Sequence, residues 1–228
     1  MKTALIITAI MLVLAGILGT IFQPAPPSVA TANADATGLP WQIEVSPDGG
    51  SRVFGISLLS GTLEDVRRRF GDEGQIAIVA APGEIGSLEA YFETVNIAGI
   101  TGRIVATAEM DEATLTAMRA RAEKVDYMKS STKKARLHDE DLPRAWAAPL
   151  RALAFIPSAN LDEAMIQERF GRPAERLRGS EFTEHLLYPD KGLDLILDAK
   201  GKEVLQYVAP SRFAQLRQPL LTAAPADE

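Results

Sequence analysis

The triplet Arg-Phe-Gly occurs twice in this chain, as Arg69-Phe70-Gly71 and Arg169-Phe170-Gly171, and its surroundings repeat with it. Thr62-Leu63-Glu64 precedes the first copy; Tyr91 and Gly102-Arg103-Ile104-Val105 follow it. Asn160-Leu161-Asp162, Tyr188 and Gly201-Lys202-Glu203-Val204 take the same places around the second, with an offset that drifts only between 97 and 100. Four matches kept in order point to duplication, which restricts the fold to one unit made twice.

Each unit begins with a helix whose ends are written in the sequence. Thr62 and Asn160 are expected N-caps, since their side-chain oxygens accept from the first free amides, and Asp65 and Glu163 complete box-like patterns. Leu63, Val66 and Phe70 stripe one face, and Gly71 and Gly171 are expected left-handed C-caps. Pro173 stops the second helix from continuing. Short amphipathic helices need a sheet to cover. Leu193, Leu195 and Leu197 alternate with Asp194, Ile196 and Asp198, which predicts a strand with one apolar and one mostly polar side.

Further strands are expected at residues 182–188 and 203–208, and in the first unit at 75–80, 88–95 and 100–108. A hairpin of 41–45 and 52–56 turns through Ser46-Pro47-Asp48-Gly49-Gly50. Residues 110–125 read as a second type of helix, capped by Asp111 and striped by Leu115, Met118, Ala122 and Val125. The fold class is therefore α+β: two tandem units of short helices packed on an antiparallel sheet, behind an N-terminal transmembrane helix.

That transmembrane segment is residues 4–22, nineteen residues without a charge. At about 1.5 Å per residue they span roughly the 30 Å hydrocarbon core of a bilayer. A cleaved secretory signal ending at Ala32-Asn33-Ala34 is the alternative, but signal cores run to about 15 residues, so an uncleaved anchor is the preferred reading. Positive charge lies only before the run, at Lys2, which places the amino terminus in the cytoplasm and the rest in the periplasm. The expected organisation is an anchor at 1–22, a Pro/Ala-rich tether at 23–40, repeats at 41–125 and 151–213, a connecting segment at 126–150 and a tail at 214–228.

Lys2 and Asp35 cancel, so the net charge of −6 belongs to residues 41–228, which argues against nucleic acid as a partner. The chain has no cysteine, which excludes disulfides, thiolate metal sites and a lipidated cysteine.

Gly171-Arg172-Pro173, His185-Leu186-Leu187-Tyr188, the strand at 193–198 and the hairpin into 201–208 resemble the BamE (SmpA/OmlA) family of small envelope proteins. The resemblance covers 155–208 and, more loosely, 56–108. Phe170 stands where that family has Leu, Leu186 where it has Trp, and its lipid-bearing cysteine is missing. It implies two helices on a three-stranded sheet, with the tandem pair similar to the β-lactamase-inhibitor-protein fold. It also implies a non-enzymatic binding module that contacts another envelope protein.

Catalytic candidates are few, and no cofactor is expected. His138 lies in an acidic run, 138–141, read as the first turn of a helix reaching Trp146. His185 is expected to face solvent, with Glu184 on the opposite side of its strand and Glu181 or Thr183 beside it. Ser57, Ser60 and Ser180 lack a nucleophile-elbow context, and Gly71-Asp72-Glu73-Gly74 puts acid where a phosphate would sit. Tyr91 and Tyr188 are expected to share a role in core packing. Basic residues concentrate between Arg119 and Arg136; Lys129, Lys133, Lys134 and Arg136 are the candidates for contact with anionic lipid or an acidic partner. The competing expectation is a solvated helix face running into a polar loop.

Overall fold

A computed structural model describes residues 38–128 and 131–223. The expected anchor, most of the tether, and Lys129 lie outside the described residues. Among the described residues, no helix is long and apolar enough to cross a membrane.

The architecture is α+β. Ten strands form one continuous antiparallel sheet, and a separate three-stranded sheet packs beside it. The small sheet is β1 (Glu44–Val45), β2 (Ser51–Val53) and β3 (Ile56–Ser57), with the expected turn through Ser46 to Gly50. Phe54 and Gly55 close the β2–β3 hairpin with φ of 56° and 83°. Such a two-residue turn needs both to be positive, a cost for Phe54. Burial of its ring against Phe155 and Tyr207, each 5.6 Å away between centroids, offsets that cost.

Helix α1 (Leu63–Phe70) leads into β4 (Gln75–Ala80), β5 (Ser87–Ile97) and β6 (Ile100–Ala108). After an excursion, β9 (Leu150–Pro157) returns to pair with β6. The second run is α4 (Glu163–Phe170), then β10 (Glu175–Arg178), β11 (Thr183–Tyr188), β12 (Leu193–Asp198) and β13 (Val204–Tyr207). Each run is a helix followed by four strands that pair in order, and the two last strands, β9 and β13, pair with each other. The two runs share one sheet, but the sequence matches do not all coincide in it: Gly102 lies in β6, the third strand of its run, whereas Gly201 precedes β13, the fourth strand of the other.

The excursion holds α2 (Glu112–Ala120), β7 (Lys124–Tyr127), β8 (Lys133–Arg136) and α3 (Leu142–Trp146). β8 pairs with β4 and β7 extends beyond it, so the sheet runs β10-β11-β12-β13-β9-β6-β5-β4-β8-β7. This corrects the helix expected over 110–125. Asp111 does cap α2, accepting from the Thr114 amide at 2.8 Å, and Leu115 and Met118 are buried. The helix stops at Ala120 because β8 offers Lys124–Tyr127 a strand partner, and Val125 is left exposed.

Local caps held where the backbone alone decides them. Thr62 and Asp65 form the capping box of α1. On α4 the cap is Asp162, accepting from Met165 at 2.7 Å, instead of the expected Asn160. Asn160 accepts from the Lys202 Nζ at 2.6 Å, a tertiary contact that draws it away. Gly71 and Gly171 have positive φ, 103° and 80°, as expected, but ψ is extended, so each ends its helix in a bend that glycine tolerates and not in a left-handed turn.

α1 and α4 cover the sheet face built from Ile78, Leu88, Ile104, Phe155, Leu195 and Tyr207, all buried. The opposite face is covered in part by the C-terminal helix α5 (Ala214–Ala223), where Phe213 and Leu216 pack with Ala152, Leu187 and Val208.

Candidate interaction surfaces

His185 departs most from expectation. It is 0 % exposed, and its Nδ1 lies 2.8 Å from Oδ2 of Asp194, itself 1 % exposed. Cross-strand pairing sets His185 opposite Ile196 and Asp194 opposite Leu187, so the two polar side chains meet on the diagonal between β11 and β12. The solvent-facing expectation fails because it assumed one covered face. The second face is closed as well, and alternation within one strand carries no sign of that. Glu184 lies on the other side from His185, as expected, and pairs with Arg176 at 3.3 Å.

Gln206 on β13 sits directly opposite Asp194. It is 1 % exposed, and neither of its amide atoms has a hydrogen-bond partner among the described residues; the same holds for His185 Nε2. Gly179 makes room for this ring, since a Cβ there would lie 2.6 Å from Nε2. Burial pushes the Asp194 carboxyl above its ordinary range, against the opposing hydrogen bond from His185. Further along the same face, burial raises Glu89 to about 7, and Ser87 Oγ donates to it at 2.7 Å. These groups are sealed, so they shape the sheet interior and offer nothing to a substrate outside.

The other candidates are tied into local structure. His138 Nδ1 accepts from the Glu140 amide at 3.3 Å and caps the 3-10 turn Asp139–Asp141, so the acidic run does open a helix reaching Trp146. Ser57 bonds Ser60 at 2.9 Å, and Ser180 bonds Thr183 at 2.7 Å. Tyr188 is buried in the helix-covered core and donates to the Gly171 carbonyl at 3.0 Å, whereas Tyr91 is half-buried on the other face against Val105 and Ala154, so the two do not share the expected packing role. Among the described residues, no group of three or more His, Asp or Glu could hold a metal ion.

The basic segment is divided. Arg121 forms a bidentate pair with Asp141, whose carboxyl this hydrogen bond holds below its ordinary range. Arg119 donates to the Ile85 carbonyl at 2.9 Å. Lys134 and Arg136, opposite Val79 and Ala77, share the sheet face away from α1, while Lys133, opposite Ala80, projects to the other face. Lys134 Nζ donates to Gln75 at 2.9 Å, and Lys133 Nζ sits 5.6 Å over the Tyr127 ring. Among the described residues, Lys133 is thus separated from Lys134 and Arg136, because a strand alternates its side chains where a helix would have grouped them.

Tryptophan gave no functional signal in the sequence, yet both tryptophans stand at grooves beneath arginines. Arg67 lies 5.3 Å over the Trp146 ring, beside a groove of about 550 Å³. Arg169 lies 5.0 Å over Trp41, and Trp41 lines a groove of about 640 Å³ together with Arg52, Phe54 and Arg69. The second groove is lined by residues from 38 to 55 and by Arg69 of α1. The β1–β3 sheet partly fills it: Phe54 reaches the core, and the buried Tyr207 hydroxyl donates to the Pro40 carbonyl at 2.9 Å. What remains open is a groove beside the half-buried Trp41 that Arg52 and Arg69 border.

Searches against family models, curated proteins and solved structures gave no match to this chain.

Proposed function

We propose that this protein is a non-enzymatic adaptor of the cell envelope, held in the inner membrane by residues 4–22, with its folded part in the periplasm. It binds another envelope protein in the groove at Trp41. The observation that carries the reading is the Trp41 groove, bordered by Arg69 of α1 and Arg52 of the hairpin, with Arg169 of α4 stacked over the Trp41 ring. Tryptophan and arginine are the residues that most often dominate binding energy at protein interfaces. Arg69 donates to the Phe54 carbonyl at 2.9 Å and Arg52 to the Gly55 carbonyl at 3.1 Å, and the donors that remain on each guanidinium favour a partner that presents carboxylates. The internal engagement of both histidines supports binding over acid–base chemistry at either one. The resemblance to the BamE family agrees with this reading.

The test uses the full-length chain in intact cells, with a photo-crosslinking amino acid in place of the exposed Glu44 at the groove. The expected result is one discrete adduct in the inner-membrane fraction, lost when Trp41→Ala or Arg69→Ala is added. Recovery of the full-length chain with soluble cytosolic protein removes the localisation. An adduct indifferent to both substitutions removes the groove.

A further inference from the structure

We propose that the protein pairs with a second copy of itself through the free edge of β7, joining two ten-stranded sheets into one. Among the described residues, β7 ends the sheet and pairs only with β8, and all four of its residues are exposed. An edge of this kind presents unpaired amides and carbonyls to any strand that fits it. Val125 and Tyr127, 43 % and 70 % exposed, also make this short strand unusually apolar for a surface.

The backbone pattern decides which residues are available. Met128 donates to the Thr132 carbonyl at 2.8 Å, and Lys124, Asp126 and Met128 alternate in register opposite Arg136, Lys134 and Thr132. The backbone groups of Lys124 and Asp126 therefore point inward to β8, and those of Val125 and Tyr127 point outward. A second β7 running antiparallel can bond only outward residue to outward residue, which leaves three registers about a two-fold axis.

Side-chain charge selects one of them. Pairing Val125 with Tyr127 sets Asp126 against the second copy's Asp126, like charge on like. Pairing Tyr127 with Tyr127 moves Lys124 past the end of the opposing strand. Pairing Val125 with Val125 places each Lys124 directly opposite the second copy's Asp126, twice, at the non-hydrogen-bonded positions where side chains come closest. Lys124 and Asp126 already lie on one face and form an ion pair at 2.7 Å within the strand, so each exchanges an internal partner for a cross-copy one. Such a self-complementary edge is what a closed two-fold dimer requires. The axis stands perpendicular to the sheet, so the helices of both copies lie on the same side. This pairing is independent of the Trp41 groove.

The absence of cysteine makes the test direct, because a single introduced cysteine finds a thiol only on another copy. In membranes carrying the full-length chain, oxidation is expected to convert Val125→Cys to a disulfide-linked dimer, since facing Cα atoms in a hydrogen-bonded pair lie about 5.5 Å apart. Val45→Cys, at a site 52 % exposed and far from this edge, is expected to remain monomeric. Chains carrying Lys124→Cys and Asp126→Cys, produced together, are expected to link to each other at least fivefold more than either links to itself. In the cysteine-free chain in detergent, Lys124→Asp is expected to abolish the dimer in sedimentation, and adding Asp126→Lys to restore it. Cross-linking of Val125→Cys no stronger than that of Val45→Cys overturns the proposal. So does equal self-linking at 124 and 126, or a sedimentation dimer indifferent to Lys124→Asp. Loss of the Glu44 adduct leaves these outcomes untouched, so the two proposals fail separately.

Discussion

Both faces of the large sheet hold buried residues, but they are lined by different chemistry. On the helix-covered face, strand residues such as Ile78, Leu88, Ile104, Phe155, Leu195 and Leu205 are apolar throughout, and Phe54 and Tyr207 bind the two units together. On the opposite face, Val105, Ala154, Ile156 and Val204 are interleaved with Glu89, Thr107, Asp194, Gln206 and His185, all under 5 % exposed. Polar residues in a strand that alternates with apolar ones ordinarily mark the wet side. Here they mark a second interior, so each must find a partner, change its protonation or carry a penalty. Asp194 finds His185, Glu89 takes up a proton near neutrality, and Gln206 carries the penalty.

The contrast between the faces can be broken by substitution, beginning with the largest effect. Phe155→Ala removes a ring at the centre of the apolar face and is expected to destabilise the protein by about 3–5 kcal/mol in denaturant titration followed by tryptophan fluorescence. A cost below 1 kcal/mol would mean that the helix-covered face is not the principal core.

Glu89 sharpens the comparison through pH. Its pKa is raised on folding from 4.5 to about 7, so between these values the native state holds a proton that the unfolded chain has released. Stability is therefore expected to fall as pH rises through this window, by on the order of 3 kcal/mol in all. Glu89→Gln keeps the acceptor for Ser87 and removes the ionisation, so the fall attributable to this site should vanish and the variant should be the more stable protein at pH 8. Parallel pH profiles for the two proteins would show that the carboxyl is not sealed.

The smallest effect has the opposite sign. Gln206→Leu deletes two buried amide atoms that lack partners and adds apolar surface, so it is expected to be neutral or stabilising by up to about 1 kcal/mol. A loss above 2 kcal/mol in the same titration would reveal a hydrogen bond that the geometry does not contain.

How much of this was legible beforehand follows the range of the interaction. The capping box at Thr62, the cap at Asp111, the positive φ at Gly71 and the strand at residues 75–80 depend on a few neighbouring residues, and all were readable. Asn160 was misread because a lysine forty-two positions away claimed its side chain. The helix expected to continue through Val125 was misread because β8, formed by later residues, competes for that segment. His185 was misread because both faces are buried at its position, with Gly179 packed against its ring, and alternation within one strand carries no sign of that. Trp41 and Trp146 were passed over because no local pattern announces which arginine will lie above them.

The sequence by itself determined the α+β class and the caps at Thr62 and Asp111, because capping and periodicity act within a few residues. Only the tertiary structure decided that two repeats share one sheet through β9 and β13, that a histidine and an aspartate are sealed beneath it, and that β7 ends it with a free edge. Those outcomes depend on which distant strands win each other's hydrogen bonds and which faces are then left to be covered. That competition is resolved across the whole chain at once, and no window of residues contains it.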